Sequence, residues 1–125
     1  MARKKSAHLT DAELRLMEVL WQRETATVAD VVEAVSKEVP LAYSTVLTTM
    51  RILEQKGYIR HKKEGRAFIY KAVVPRGKAR DTAIAHLLRR FFEGSPEQLM
   101  LNLVERKKIS PEQLRRLQKR IEEKK

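Results

Sequence analysis

The 125-residue sequence predicts a mostly α fold with one small β-hairpin, an α+β chain of six helices. Three observations carry this. Apolar residues recur at helical spacing over most of the length. Two short β-prone runs meet at Glu64-Gly65-Arg66. A Ser or Thr followed three residues later by Glu, Asp or Gln opens a helical pattern at Thr10, Thr27, Ser95 and Ser110.

Bulk properties bound what such a chain can do. Its length suits one compact domain, or a small domain with an appendage, and a fold of about 100 residues buries a core without metal or disulfide support. A hydrophobic content of 42% argues against wholesale disorder. The formal charge of +11 favours polyanionic partners: DNA, RNA or an anionic membrane surface. The absence of cysteine excludes disulfides, thiolate chemistry and Cys-based metal sites. No apolar run approaches the ~20 residues that span a bilayer. The N-terminus MARKKSAHLT has no apolar core after its charges, so it does not read as a secretory signal, and a cytoplasmic protein is expected.

Residues 1–8 read as a flexible basic tail, with Arg3, Lys4 and Lys5 either touching phosphate or only solubilising. The capping box Thr10-Asp11-Ala12-Glu13 opens a first helix over about 11–22, its stripe formed by Leu14, Met17, Leu20 and Trp21. Trp21, the single tryptophan, fits core or rim packing better than a stacking platform. A second helix begins at Thr27, buries Val28, Val31, Val32 and Val35, and ends near Lys37–Glu38 ahead of Pro40.

The third helix, about 43–56, is the most informative. At 100° per residue Val46, Met50 and Leu53 share one face. Ser44, Thr48, Arg51 and Gln55 occupy the opposite face, flanked by Thr45 and Ile52 on one side and Leu47 on the other. Hydroxyls and an amide bond to bases or phosphates, Arg51 can take a guanine in a bidentate fork, and a Thr methyl or Leu47 can pack on a thymine methyl. A solvated polar face is the ordinary alternative. Gly57 stops the helix.

Tyr58–Lys63 and Ala67–Val74 then form the hairpin, with Ile59, Phe68 and Tyr70 expected to pack inward. Lys62, Lys63 and Arg66 surround the turn, an arrangement suited to phosphate or the minor groove. Residues 43–76 carry eight basic groups against two acidic. A helix with such a face followed by a basic hairpin is the layout of a winged helix-turn-helix, expected over residues 9–75. The expected DNA-contacting residues are Tyr43, Ser44, Thr45, Leu47, Thr48, Arg51, Gln55, Lys62, Lys63 and Arg66. His61 can be read as a pH switch or ligand, but no acidic cluster accompanies it, and no metal or other cofactor is expected.

Beyond Pro75-Arg76-Gly77 the strand pattern stops, and residues 76–125 read as a three-helix dimerisation domain. Ile84, Leu87, Leu88, Phe91 and Phe92 line a helix over 78–93, which Gly94 ends. Ser95-Pro96-Glu97-Gln98 and Ser110-Pro111-Glu112-Gln113 start helices over about 96–106 and 111–123. Leu99, Leu103, Leu114, Leu117 and Ile121 continue the apolar surface. Fifty residues so arranged do not bury that surface alone. A second copy covers it, and a two-fold dimer matches a palindromic DNA site.

The stretches LTDAELRLMEVLW, the valine-rich second helix, YSTVLTTMRILEQKGYIRHKKEGRAFIYKAVV and LNLVE resemble the penicillinase-repressor family of BlaI/MecI-type regulators, from about Leu9 to Ile121. The resemblance implies a homodimeric transcriptional repressor of TACA/TGTA-like operators. It also implies relief, in some members, by a membrane metalloprotease sensor pathway that cuts the dimerisation domain at an Asn–Phe bond. Asn102-Leu103 stands at that place here, so the same protease specificity does not transfer directly. A copper-sensing branch ends in a cysteine cluster, which this chain lacks. A non-specific nucleic-acid-binding or architectural protein is the competing reading. With three Tyr, three Phe and one Trp, a stacking platform is poorly supported. No catalytic constellation or phosphate-cradling glycine loop is present, so neither an enzyme nor a small-molecule substrate is expected.

Overall fold

The computed structural model of the chain describes residues 8–124. The basic tail expected at residues 1–8, with Arg3, Lys4 and Lys5, lies outside them but for His8. In order the elements are α1 (Asp11–Arg23), β1 (Thr25–Ala26), α2 (Val28–Val35), α3 (Tyr43–Gln55), β2 (Ile59–Glu64), β3 (Ala67–Ala72), α4 (Arg76–Phe91), α5 (Pro96–Glu105) and α6 (Pro111–Glu123). The chain divides into two compact units, one running to Ala83 and the other starting at Ile84.

In the first unit, local chemistry sets the helix ends. Thr10 and Thr27 each accept from the backbone N–H three residues on, while Glu13 and Asp30 accept from the two cap N–H groups in return. The helix α2 ends at Val35, two residues short of the expected Lys37–Glu38. The N–H groups of Glu38 and Val39 both donate to the Val35 carbonyl and close a turn that leads to Pro40. Gly57, at φ 86°, closes α3 with a Schellman pair: Gly57 N–H donates to Glu54 O and Tyr58 N–H to Leu53 O, both at 3.0 Å.

The hairpin is three-stranded in effect, with sheet order β1-β3-β2 and both pairings antiparallel. The short strand β1, unforeseen in the sequence, pairs Thr25 with Lys71 and Ala26 with Tyr70. The core joins Leu16, Met17 and Leu20 of α1, Val31 and Val35 of α2, Val46, Met50 and Leu53 of α3, and Tyr58, Ile59 and Tyr70 around the sheet. Trp21 packs at its edge, as expected, and its Nε1–H donates to the Val74 carbonyl at 2.9 Å. The Arg76 guanidinium lies 5.2 Å from the Trp21 ring and 2.7 Å from Glu18.

In the second unit the Ser95 and Ser110 hydroxyls cap α5 and α6 as expected, with Pro in the first turn of each. None of its described residues is buried. Ile84, Leu87, Phe91, Leu117 and Ile121 are exposed, while Leu88, Phe92, Leu99, Leu103 and Leu114 are half-buried. No helix among the described residues is long and apolar enough to cross a membrane.

Candidate nucleic-acid interface

Helix α3 divides as its periodicity requires. Val46, Met50 and Leu53 are fully buried, which turns the opposite face outward. Tyr43, Ser44, Thr45, Thr48, Arg51 and Gln55 are all exposed on or beside that face. Leu47 is half-buried and packs against the core, so it offers only part of its side chain to a partner. Thr49, which points away from this face, returns its hydroxyl proton to the Thr45 carbonyl at 2.9 Å. At the N-terminus Ala42 provides no side-chain cap.

The C-terminal end of α3 is fixed by a contact that spacing did not reveal. The Lys56 ammonium donates to Glu13 Oε1 at 2.7 Å and to the His8 carbonyl at 3.1 Å, with only 6% of either charged side chain exposed. Burial works to raise the Glu13 carboxyl, but Lys56 and Thr10 outweigh it and hold it below its ordinary value. This ion pair ties the end of α3 to the start of α1.

The hairpin projects beside this helix. Antiparallel register places Ile59 opposite Ala72, His61 opposite Tyr70 and Lys63 opposite Phe68 on one sheet face. Because Ile59 and Tyr70 are buried, that is the face that packs on the core. Arg60 with Lys71, and Lys62 with Ile69, belong to the other face. Lys62 and Lys63, adjacent in sequence, therefore leave opposite sides of the wing. Both are exposed, as is Arg66 in the two-residue turn that Gly65 opens at φ 61°. Lys62 lies 3.5 Å from Glu64, in the open.

Phe68, expected to pack inward, is 46% exposed. Its alternation puts it on the core side, but the hairpin has outrun the core by that point. It rests instead on His61, ring centroids 4.8 Å apart. The His61 ring also meets Tyr70 at 5.2 Å, and its Nδ1 lies 2.8 Å from both carboxylate oxygens of Glu54 on α3. Burial, with help from Glu54 and Tyr43, pushes the Tyr70 phenol above its ordinary value against the pull of Arg51. Among the described residues no group of three His, Cys, Asp or Glu side chains is placed to hold a metal ion.

All ten expected contact residues lie on α3 or the adjoining wing, nine of them exposed and Leu47 half-buried. Arg60 and Lys71 on the outer wing face, and the contact of His61 with Glu54, do not figure among the expected contacts. Strand alternation would have assigned the first two to the outer face had the register been known, whereas the His61–Glu54 pairing has no sequence signal.

Comparison with known proteins agrees with this geometry. The family model described as penicillinase repressor matches residues 9–123. A penicillinase repressor from Bacillus licheniformis is 30% identical over 96% of this chain and 94% of its own length. The methicillin resistance regulatory protein MecI from Staphylococcus aureus (strain N315) is 23% identical over 90% of this chain and 92% of its own. Among solved structures, the DNA-binding domain of the repressor BlaI is similar at 32% identity with a TM-score of 0.54, covering 61% of this chain and 93% of that domain. The Bacillus licheniformis BlaI monomeric form in complex with the blaP half-operator is similar at 32% identity and a TM-score of 0.51, with the same coverage. This chain is a member of the penicillinase repressor family.

Proposed function

We propose that this chain is a sequence-specific, double-stranded-DNA-binding transcriptional repressor that works in the cytoplasm as a homodimer on a palindromic operator of TACA/TGTA-like half-sites. The observation that carries this is the pairing of an exposed polar face on α3 with a basic wing in one unit. In this reading α3 enters the major groove. Arg51 and Gln55 read base edges, Ser44, Thr45 and Thr48 bond bases or phosphates, and Tyr43 and the exposed part of Leu47 add apolar contact. Lys62, Lys63 and Arg66 supply phosphate attraction, and because Lys62 and Lys63 leave opposite wing faces, they serve different phosphates. No catalytic step, cofactor or small-molecule substrate belongs to the reading.

Residues 9–75 form the DNA-binding domain and residues 76–125 the dimerisation domain. The exposed and half-buried apolar residues from Ile84 on support a second copy as their cover: Ile84, Leu87, Leu88 and Phe91 on α4, Phe92 just after it, Leu99 and Leu103 on α5, and Leu114, Leu117 and Ile121 on α6. Proteolytic relief through a membrane sensor pathway, with Asn102-Leu103 as the bond cut, has a structural requirement. That bond lies inside α5, the Asn102 and Leu103 carbonyls accepting from Arg106 N–H at 3.0 Å and Lys108 N–H at 2.8 Å, so α5 must open before a protease can hold it extended.

The test is a binding titration on a palindromic duplex and on a scrambled one over a range of salt. The reading expects preference for the palindrome and a slope of log affinity against log salt of about −0.9 per phosphate contacted. A salt-dependent affinity equal on both duplexes would place the chain with non-specific nucleic-acid binders.

A further inference from the structure

The hairpin raises a mechanical question. Ile59 and Tyr70 anchor its base, with 2% and 3% exposed, but every residue from Lys62 to Phe68 is exposed. The tip that carries Lys62, Lys63 and Arg66 has no core side chain to hold its angle. Between base and tip stands His61. Its Nδ1 meets both Glu54 oxygens at 2.8 Å, and its ring is flanked by Phe68 and Tyr70 of β3. Glu54 lies one residue before Gln55 and three after Arg51, on the last turn of α3. One imidazole therefore touches both strands of the wing and the helix that presents the base-reading face.

We propose that His61, acting through Glu54, is a positioning residue that fixes the wing tip relative to α3, and so sets the spacing between base contacts and phosphate contacts.

Magnitude supports the assignment. From His61 to the end of β2 at Glu64 is three residues, about 10 Å at ~3.3 Å each, so a swing of about 20° at His61 carries the tip by about 3 to 4 Å. Hydrogen bonds and ion pairs to phosphate do not survive a displacement of that size. The clasp matters because the tip contacts are long-stemmed and exposed: Lys62 and Glu64 side chains are 75% and 60% exposed. Such contacts act only if something else brings them to the duplex. Neither His61 nor Glu54 needs to touch DNA for this. The inference rests on the DNA-binding reading above and adds to it a residue whose role is geometric.

The experiment uses the full chain and a palindromic duplex, titrated by fluorescence anisotropy at several salt concentrations beside thermal unfolding. His61→Ala is expected to weaken binding about tenfold, the scale of one lost charge-assisted contact, and to flatten the salt slope by about 1 to 2 as phosphate contacts loosen, while Tm stays close to wild type. His61→Asn is expected to recover most of both, because its Nδ2 takes the place of Nδ1 toward Glu54. In a chain already carrying Lys62→Gln, Lys63→Gln and Arg66→Gln, His61→Ala is expected to have no further effect. If His61→Ala fails to fold, Glu54→Ala breaks the same clasp from the helix side and is expected to reproduce the flattened slope.

Three results overturn the proposal: an unchanged slope and affinity in His61→Ala, a His61→Asn as weak as His61→Ala, or an equal loss in the tip-neutralised chain. Each leaves the DNA-binding reading standing, provided the wild type prefers the palindrome. A wild type without affinity for duplex DNA overturns both.

Discussion

Among the described residues up to Ala83 fourteen apolar ones are buried, and seven larger side chains of these are almost completely enclosed; from Ile84 to Lys124 none of the described residues is buried. Yet the two units share the same devices: capping boxes, helical stripes and helices of similar length. What separates them is geometry. In the first unit three helices and a sheet surround one point, so each apolar face has an opposing face from the same chain. In the second, the stripes on α4, α5 and α6 leave Phe91 and Ile121 at 66% and 61% exposure. A helical stripe records that a face is to be covered, not whether the cover comes from the same molecule.

The largest expected effect comes from breaking the enclosed side of this comparison. Leu53→Ala removes a completely buried side chain and is expected to cost about 3 to 4 kcal/mol in denaturant unfolding, at every protein concentration. Lys56→Met leaves the Glu13 carboxylate buried without its cation and is expected to cost about 3 kcal/mol.

The Lys56 variant also carries a pH signature. Glu13 and Asp30 are held below their ordinary values of 4.5 and 3.8, so their contribution is present above those values and is lost as pH falls through the lowered folded ones. The gap between wild type and Lys56→Met is therefore expected to narrow as pH falls toward and below the ordinary Glu13 value of 4.5 in unfolding titrations, because burial without Lys56 favours the protonated carboxyl and an uncharged Glu13 no longer needs Lys56. A gap independent of pH would show that Lys56 acts by packing.

On the open side of the comparison, Leu117→Ala is expected to behave differently from Leu53→Ala. It should leave the first unit's unfolding unchanged and weaken self-association about tenfold in sedimentation, worth about 1.4 kcal/mol. A concentration-independent destabilisation would mean that α6 is covered by its own chain. The smallest effect is expected at Phe68, where Phe68→Ser should change unfolding by no more than about 0.5 kcal/mol, since the ring lies beyond the core.

Much of the architecture is legible in the sequence because it is local. The caps at Thr10, Thr27 and Ser110 link residues three apart, and the α3 faces follow from 100° per residue, so both can be read without knowing what packs where. The strand β1 is two residues long, too short to show alternation, and exists because Lys71 and Tyr70 offer it a partner. The exposure of Phe68 escapes the sequence for a related reason: alternation assigns a face, but not how far along the strand the core extends.

In the interface, Ser44, Thr48, Arg51 and Gln55 were legible as a face, and Lys62, Lys63 and Arg66 as a basic turn. The split of Lys62 and Lys63 between wing faces required the register, and Lys56–Glu13 and His61–Glu54 required the fold itself. The first of these pairs joins residues 43 apart, and the second crosses a helix end and a turn within seven residues.

On the proposed function α3 reads sequence while the wing supplies attraction. The most direct test is the affinity of Arg51→Ala, beside wild type, for a palindrome of TACA/TGTA-like half-sites and for a scrambled duplex at one salt concentration. Arg51→Ala is expected to lose about 1 to 3 kcal/mol per half-site on the palindrome and to change little on the scrambled duplex. Equal losses on both would contradict this reading, reducing Arg51 to one more positive charge.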